Sequence, residues 1–221
     1  MASGFPGSID SFTNPLSNSA LNSPSHAGQH QDLNDAVNKV ETYMGLVKVI
    51  PTSATNGTVA ANGTVTIGNA VSSVTVNGAF SSLYDNYRIV YSNVAPSVNN
   101  DLTVQLTVAG TASTTGYYWA FTYVTLATSA VTGSGQQNFS SHHISSVTST
   151  SFRHAGAIEM YMPFLTAYTG IIATDYIMRT DIVSSGTNGS HQVATSYDGF
   201  RIVPGSGTLT GGTIRIYGYR N

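Results

Sequence analysis

From residue 51 onward the sequence alternates apolar and polar residues in short runs, and this pattern constrains the fold most strongly. Apolar side chains occupy every second position in 87–91 and in 102–108, which predicts half-buried β-strands. Further apolar strand-like runs lie at 157–162, 171–172, 176–178, 200–203 and 214–217. Helices that could connect parallel strands are missing from the pattern. The sequence therefore predicts an all-β fold, an antiparallel β-sandwich or jelly roll, as the head domain over residues 80–221.

Glycine, serine and asparagine clusters separate these runs. They predict turns at 133–135, 184–189 and 204–207. Only 8% of the residues are charged, whereas about a quarter are charged in a typical soluble protein. Serine, threonine, asparagine and glycine take over the polar surface, as suits strands and tight turns better than helices.

Composition excludes several functions. The eight Lys and Arg residues are scattered along a chain of net charge −2, so no basic stripe could bind nucleic acid. The chain has no cysteine and hence no disulfide or thiolate chemistry. No apolar run approaches the length of a membrane span, and the first residues lack the features of a signal peptide. We expect no membrane insertion and synthesis in a cytoplasm.

Residues 1–23 are rich in glycine, proline, serine and asparagine and have isolated apolar residues at no regular period. Such a segment cannot bury its apolar side chains against itself. It is predicted to be an extended arm that anchors the protein on another surface. The anchoring residues are Phe5, Ile9, Phe12, Leu16 and Leu21.

Residues 24–45 are predicted to form a short helix. Ser23 is a good N-cap, Pro24 a good first residue, and Gly45 a good stop after Met44. Its apolar residues fall three and four apart, as in a coiled coil. This stripe either packs on the body of the same chain or forms a trimeric coiled coil, which we favour. The predicted trimer contacts are Leu33, Val37, Val40 and Met44.

Residues 46–79 are predicted to be a β-rich linker or short shaft. The segment repeats Asn-Gly-Thr-Val at 56–59 and 62–65. Two copies fit either two rungs of a trimeric shaft or a hairpin with Asn-Gly turns.

The polar residues give little sign of catalysis, so we expect no enzyme, no cofactor and no metal. The isolated acids could serve a glycosidase only if two faced each other across a cleft; they are Asp85, Asp101, Glu159, Asp175, Asp181 and Asp198. Histidines that could share a metal occur at His26 and His30, four apart on the predicted helix, and at His142, His143 and His154. Hydrogen bonding is the commoner role for such histidines.

The run Tyr117-Tyr118-Trp119-Ala120-Phe121 is aromatic on both faces of a predicted strand. We expect it in the core or at a subunit interface. Residues that contact a receptor should lie in small polar loops, at 110–116, 129–143 and 184–191.

Two segments carry a resemblance to known proteins. Residues 5–15 (FPGSIDSFTNP) and 21–37 (LNSPSHAGQHQDLNDAV) resemble the start of phage minor tail and fibre proteins, particularly of phages that infect actinobacteria. Residues 80–90 (FSSLYDNYRIV) and 209–221 (LTGGTIRIYGYRN) are similar to β-domains at the C-termini of phage appendage proteins.

The resemblance implies a homotrimer whose N-terminus docks on phage tail or capsid proteins. We therefore expect a non-enzymatic structural protein of a bacteriophage virion, assembled in the host cytoplasm. The favoured interpretation is a short trimeric fibre or knob, attached by its N-terminus and tail-associated, that binds a host cell-surface glycan. The alternative is a head fibre or capsid decoration protein with an architectural role.

Overall fold

A computed structural model describes residues 26–43, 45–125, 128–146, 153–177 and 183–219. The chain forms two compact units that adjoin in sequence at Gly45, and the second covers Leu46–Tyr219. The predicted arm residues and Met44 lie outside the described residues. No helix in the described part of the chain is long and apolar enough to cross a membrane.

The described part of the first unit is one helix, α1 (His26–Tyr43). Gly45 follows it with a φ of +78°, the left-handed conformation expected of a helix stop. The three described residues of the predicted apolar stripe are exposed in the single chain, Leu33 by 54%, Val37 by 47% and Val40 by 39%. The helix is therefore confirmed, while the partner of its stripe stays a prediction.

The described part of the second unit consists of antiparallel strands and the segments between them. The strands are β1 (Leu46–Val49), β2 (Ser53–Thr55), β3 (Gly57–Val59), β4 (Val65–Ile67), β5 (Val74–Asn77), β6 (Asn86–Pro96), β7 (Leu102–Val108), β8 (Thr111–Ala112), β9 (Tyr117–Thr125), β10 (Ala130–Phe139), β11 (His142–Ser145), β12 (His154–Tyr161), β13 (Thr169–Ile177), β14 (Val183–His191), β15 (Gly199–Pro204), β16 (Leu209–Thr210) and β17 (Thr213–Tyr219).

The strands form two antiparallel sheets. The larger has the order β10-β9-β14-β13-β12-β6-β17-β4-β3, with β1 also on β17 and β16 on β6. The smaller has the order β11-β7-β15-β5-β2, with β8 on β7. The all-β antiparallel class is thus confirmed. Jelly-roll topology and the trimer stay predictions.

One core lies between the sheets and follows the predicted alternation. Tyr87, Ile89 and Tyr91 on β6 are buried, while the residues between them are half-buried. On the smaller sheet Leu102, Val104 and Leu106 of β7 are fully buried. Burying every second side chain of each strand stabilises the pairing register, because a slip by one residue would turn the apolar set to solvent.

The segment 80–90 builds one corner of this core. The Tyr87 hydroxyl accepts from the Ser81 N–H at 2.7 Å and donates to the Ser81 carbonyl at 2.8 Å. The Phe80 ring packs edge-on against Tyr87 and tilted against Phe200 of β15. Tyr87 therefore fixes the chain before β6 while it fills the core, which explains the spacing of these residues in the motif.

The prediction for residues 46–79 requires correction. The segment is β-rich, but it is part of both sheets and not a linker or shaft, because β1 and β4 pair with β17 and β2 and β5 belong to the smaller sheet. Val65, Val74 and Val76 are fully buried in the core. The second Asn-Gly repeat is the predicted hairpin turn, since β3 pairs with β4 across it and Gly63 has a φ of +76°.

The turns predicted at 133–135 and 184–189 are wrong, because these residues lie inside β10 and β14. Both strands pair with β9 along most of its length. In the sequence, these clusters of small residues are typical of turns. In the sheet they lie opposite residues of β9, and a Cβ at Gly135 or Gly189 would meet the β9 backbone closely.

Candidate binding surface

Three aromatic side chains follow one another at alternate positions of β9: Trp119, Phe121 and Tyr123. The ring centroids of Trp119 and Phe121 are 5.9 Å apart, and so are those of Phe121 and Tyr123. The Trp119 and Phe121 rings are tilted by 37°, and the Phe121 and Tyr123 rings are stacked at 15°. We call these three side chains the aromatic row. All three are half-buried, so part of each ring faces solvent.

A second set of side chains runs beside the aromatic row on β10. Gln136 lies directly opposite Trp119, Ser134 opposite Phe121 and Thr132 opposite Tyr123. Directly opposed residues of an antiparallel pair share a face of the sheet. We call Thr132, Ser134 and Gln136 the polar row. Every residue of β10 is exposed, so the polar row is open to solvent.

The aromatic row lies on the face of the larger sheet that turns towards β11. Trp119 donates its Nε1–H to the Ser141 carbonyl at 3.0 Å. The His143 ring stacks on Phe121, with centroids 4.7 Å apart, and lies 5.3 Å from the Trp119 ring. Phe139, at the end of β10, contacts Trp119 edge-on. These contacts fix the rings at the Trp119 end of the row.

Hydrogen bonds hold the buried His143 ring in this position. Its Nδ1 pairs with the Thr187 hydroxyl at 3.0 Å and its Nε2 with the Ser146 hydroxyl at 3.2 Å. The Asp101 carboxylate is 3.6 Å from the same Nε2. His143 is therefore a structural support packed on the aromatic row, and both its ring nitrogens pair with other side chains.

The neighbouring His142 is also fully buried, on the smaller sheet against β14. Its Nδ1 pairs with the His143 carbonyl at 2.8 Å. Among the described residues, nothing forms a hydrogen bond with its Nε2. Burial lowers the pKa of His142 from 6.5 to about 4. The ring is therefore neutral at neutral pH, and protonating it would leave a charge in the core.

This burial predicts that the β unit loses stability in acid. Between about pH 6.5 and pH 4 the unfolded chain binds a proton at His142 that the folded chain does not, so unfolding becomes easier as the pH falls. The loss from this residue reaches about 3 kcal/mol below pH 4. Urea unfolding between pH 7 and pH 4 measures it. His142→Asn should flatten the dependence; parallel losses in both proteins would contradict the assignment.

His191 forms a separate buried cluster at the start of β9. Its Nε2 pairs with the Thr115 carbonyl at 2.9 Å, its Nδ1 with the Tyr197 hydroxyl at 3.2 Å, and its ring packs on Tyr117. Burial lowers its pKa as well. His191 therefore adds to the acid sensitivity in the same direction as His142.

Ser145, His154 and Asp175 come together at the other end of β11. The Ser145 hydroxyl donates to the Asp175 carboxylate at 2.6 Å and lies 3.4 Å from Nδ1 of His154. These are the side-chain types of a hydrolase triad. However, Ser145 and His154 are fully buried and Asp175 is 8% exposed, so a substrate cannot reach the hydroxyl in this conformation. The cluster links β11 to β12 and β13.

The remaining acids are spread over the β unit. Glu159 pairs with Arg88 at 3.3 Å and accepts from the Tyr219 hydroxyl at 2.7 Å. The Asp198 carboxylate accepts a hydrogen bond from the Ala109 N–H. The backbone carbonyl of Asp85 accepts one from the Met162 N–H. Asp181 lies outside the described residues. His26 and His30 lie on α1, and no three or more potential metal ligands cluster within the described residues.

The predicted receptor loops are largely strands. Residues 129–143 contain β10 and the start of β11, and residues 184–191 lie in β14, while 110–116 holds β8 and a turn. Tyr117 is fully buried, as expected for the core, and Tyr118 and Trp119 are half-buried. The polar row was therefore misassigned to a loop. Its polar side chains occupy every second position, Thr132, Ser134 and Gln136, and this period of two could have indicated a strand.

No protein-family model matches this chain, and no curated protein is significantly similar to it in sequence.

Proposed function

We propose that the chain is a non-enzymatic structural protein of a bacteriophage virion. It forms a short homotrimeric fibre or knob, is attached through its N-terminal arm, and is tail-associated, where the β unit contacts the host surface. The observation that carries this proposal is the exposed apolar stripe of α1, which precedes in sequence a β unit with a complete core of its own. The resemblance of both ends to phage appendage proteins supplies the context.

The stripe supports the trimer. Leu33, Val37 and Val40 are each more than a third exposed in the single chain, at the spacing of coiled-coil core positions. An isolated helix of 18 residues is marginal in water, because most helical stability in proteins comes from packing an apolar face. Three parallel copies of α1 would bury the stripe and stabilise the helix together.

The β unit supports binding in preference to catalysis. Its Ser-His-Asp side chains are buried, whereas its polar row is open to solvent and its aromatic row is half-buried. Three copies on one stalk would each present these rows. Avidity would then raise the apparent affinity for a repetitive host surface without any new contact.

Copurification with particles tests the proposal. Virions purified through a density gradient should contain the chain at a constant ratio to the major capsid protein on immunoblots. Recovery of the chain only in the soluble lysate would contradict a virion protein.

A further inference from the structure

We propose that a shallow pocket on the outer face of the larger sheet binds a small organic anion, a carboxylate or sulfonate carried on an apolar body. The pocket lies over β12, where this strand runs between β6 and β13. The outer face is the one opposite to Ile89 and Ile158, which are fully buried in the core. This site goes beyond the proposed function and shares no residue with the aromatic row or the polar row.

Small side chains on β12 make the pocket concave. Ala157 stands directly opposite Val90 of β6 on one side and Thr174 of β13 on the other. Directly opposed residues share a face of the sheet. Ala155 and Gly156 continue the run of small residues along the strand and also line the pocket. The cavity has a volume of about 350 Å³, at the lower end of the range for small-molecule sites.

The pocket combines an apolar floor with hydroxyl groups at its rim. The side chains of Val90, Ala155 and Ala157 contain only carbon, and each of these residues is half-buried, so the floor is partly open to solvent. Ser92 and Thr174 add hydroxyls to the lining, and a hydroxyl can both donate and accept. An apolar ring or short chain that covers this floor removes carbon surface from water, which favours binding.

Two arginines border the apolar floor. Arg88 lines the pocket and pairs with the Glu159 carboxylate at 3.3 Å, which compensates its charge. Arg215 of β17 stands directly opposite Val90, so the Cβ atoms of the two residues are about 4.5–5.5 Å apart. Within the described ranges no carboxylate forms an ion pair with Arg215. A half-buried positive charge therefore lies beside the floor without an anionic partner there.

The Asp175 carboxylate does not supply this partner. Asp175 lines the pocket but is only 8% exposed. Its Oδ2 accepts from the hydroxyl of the fully buried Ser145 at 2.6 Å. The carboxylate is thus turned to the core, on the face opposite to Thr174. A ligand on the outer face meets the charge of Arg215, and a carboxylate or sulfonate gains a charge-assisted hydrogen bond that a neutral molecule cannot make.

The fluorescence of anilinonaphthalene sulfonate tests the inference, because this probe joins an apolar ring system to one sulfonate. Phenylnaphthylamine has the same rings without the charge and is the matched control ligand. With the full-length protein we expect saturable emission from the sulfonate and its displacement by naphthoate, a carboxylate. The neutral probe should bind about tenfold more weakly. Absence of saturable binding, or equal affinity for the two probes, would overturn the inference.

Variants locate the site. Ala157→Leu should fill the pocket and Arg215→Gln should remove the charge beside it, and each should weaken binding of the sulfonate about tenfold. Ala130→Leu and Arg201→Gln are the matched controls, because Ala130 is exposed on β10 and Arg201 lies on β15 of the smaller sheet. Both controls should bind as the unaltered protein does.

The urea midpoint of each variant shows whether the fold is kept. If Ala157→Leu lowers the midpoint, Arg215→Gln decides alone. Unchanged affinity in Ala157→Leu at an unchanged midpoint would overturn the site, and so would equal losses in Arg215→Gln and Arg201→Gln.

Discussion

Gly189→Ala should lower the free energy of unfolding of the β unit by about 3–5 kcal/mol, at the upper end of single substitutions. A methyl group at this position of β14 would lie 2.1 Å from the Tyr118 carbonyl oxygen and 2.8 Å from the Trp119 Cα, both backbone atoms of β9. It would also lie 2.8 Å from Nε2 of His142. Because the backbone atoms of β9 cannot shift without a large energetic cost, β14 and β9 must separate to make room for the methyl group. Urea denaturation measures the change.

Gly186→Ala is the matched control on the same strand. Nothing lies within 4 Å of the added methyl group, and the backbone is not in the left-handed region. Its stability should stay constant or rise by up to about 1 kcal/mol, because alanine restricts the unfolded chain. Similar losses in the two variants would contradict the close packing of β14 against β9 and His142.

Val37→Asp combined with Val40→Asp should convert a trimer into monomers. Each copy would bring two carboxylates into the seam of the coiled coil, where a buried unpaired charge costs several kcal/mol. Sedimentation equilibrium should then report the mass of one chain, 23.2 kDa, in place of three. The β unit should still unfold at the same urea concentration, because its core is complete within one chain.

Gln31→Glu combined with Asn38→Asp controls for charge. Both side chains are exposed and lie off the stripe, and the pair changes the net charge of the chain by the same amount. This variant should remain trimeric. If the Val37 and Val40 double variant also remained trimeric, the contacts between copies would have to lie in the β unit.

Much of the fold follows from local sequence signals. The alternation around Ile89 and Val104 predicts half-buried strands, since a period of two turns one face to the core. The end of the helix before Gly45 follows from its glycine stop, whereas the predicted capping residues Ser23 and Pro24 lie outside the described residues. In each case neighbours in the sequence determine the conformation, so no knowledge of the rest of the chain is needed.

The parts that escaped prediction depend on distant partners. Gly189 is typical of a turn in the sequence, and only the close approach of the β9 backbone and of His142 explains why this position of a strand must be a glycine. Val65 and Val74 belong to the core because β4 pairs with the last strand of the chain and β5 with β15. Pairing across such separations leaves no trace in a short stretch of sequence.

For the same reason, only the aromatic part of the candidate surface could be predicted from the sequence. The aromatic residues of β9 stood out from composition alone, but the polar row became visible only when the register set Ser134 beside Phe121. The role of His143 as a stacked support likewise depends on β11 facing β9, which the sequence could not show.

The location of the β unit on intact particles distinguishes a tail adhesin from a capsid protein. Antibody raised against residues 46–219 is bound to purified phage and detected with gold by electron microscopy. We expect gold at the distal end of the tail. Gold spread over the head would contradict the tail-adhesin assignment and make the protein a head fibre or decoration protein, and particles without gold would contradict a virion protein altogether.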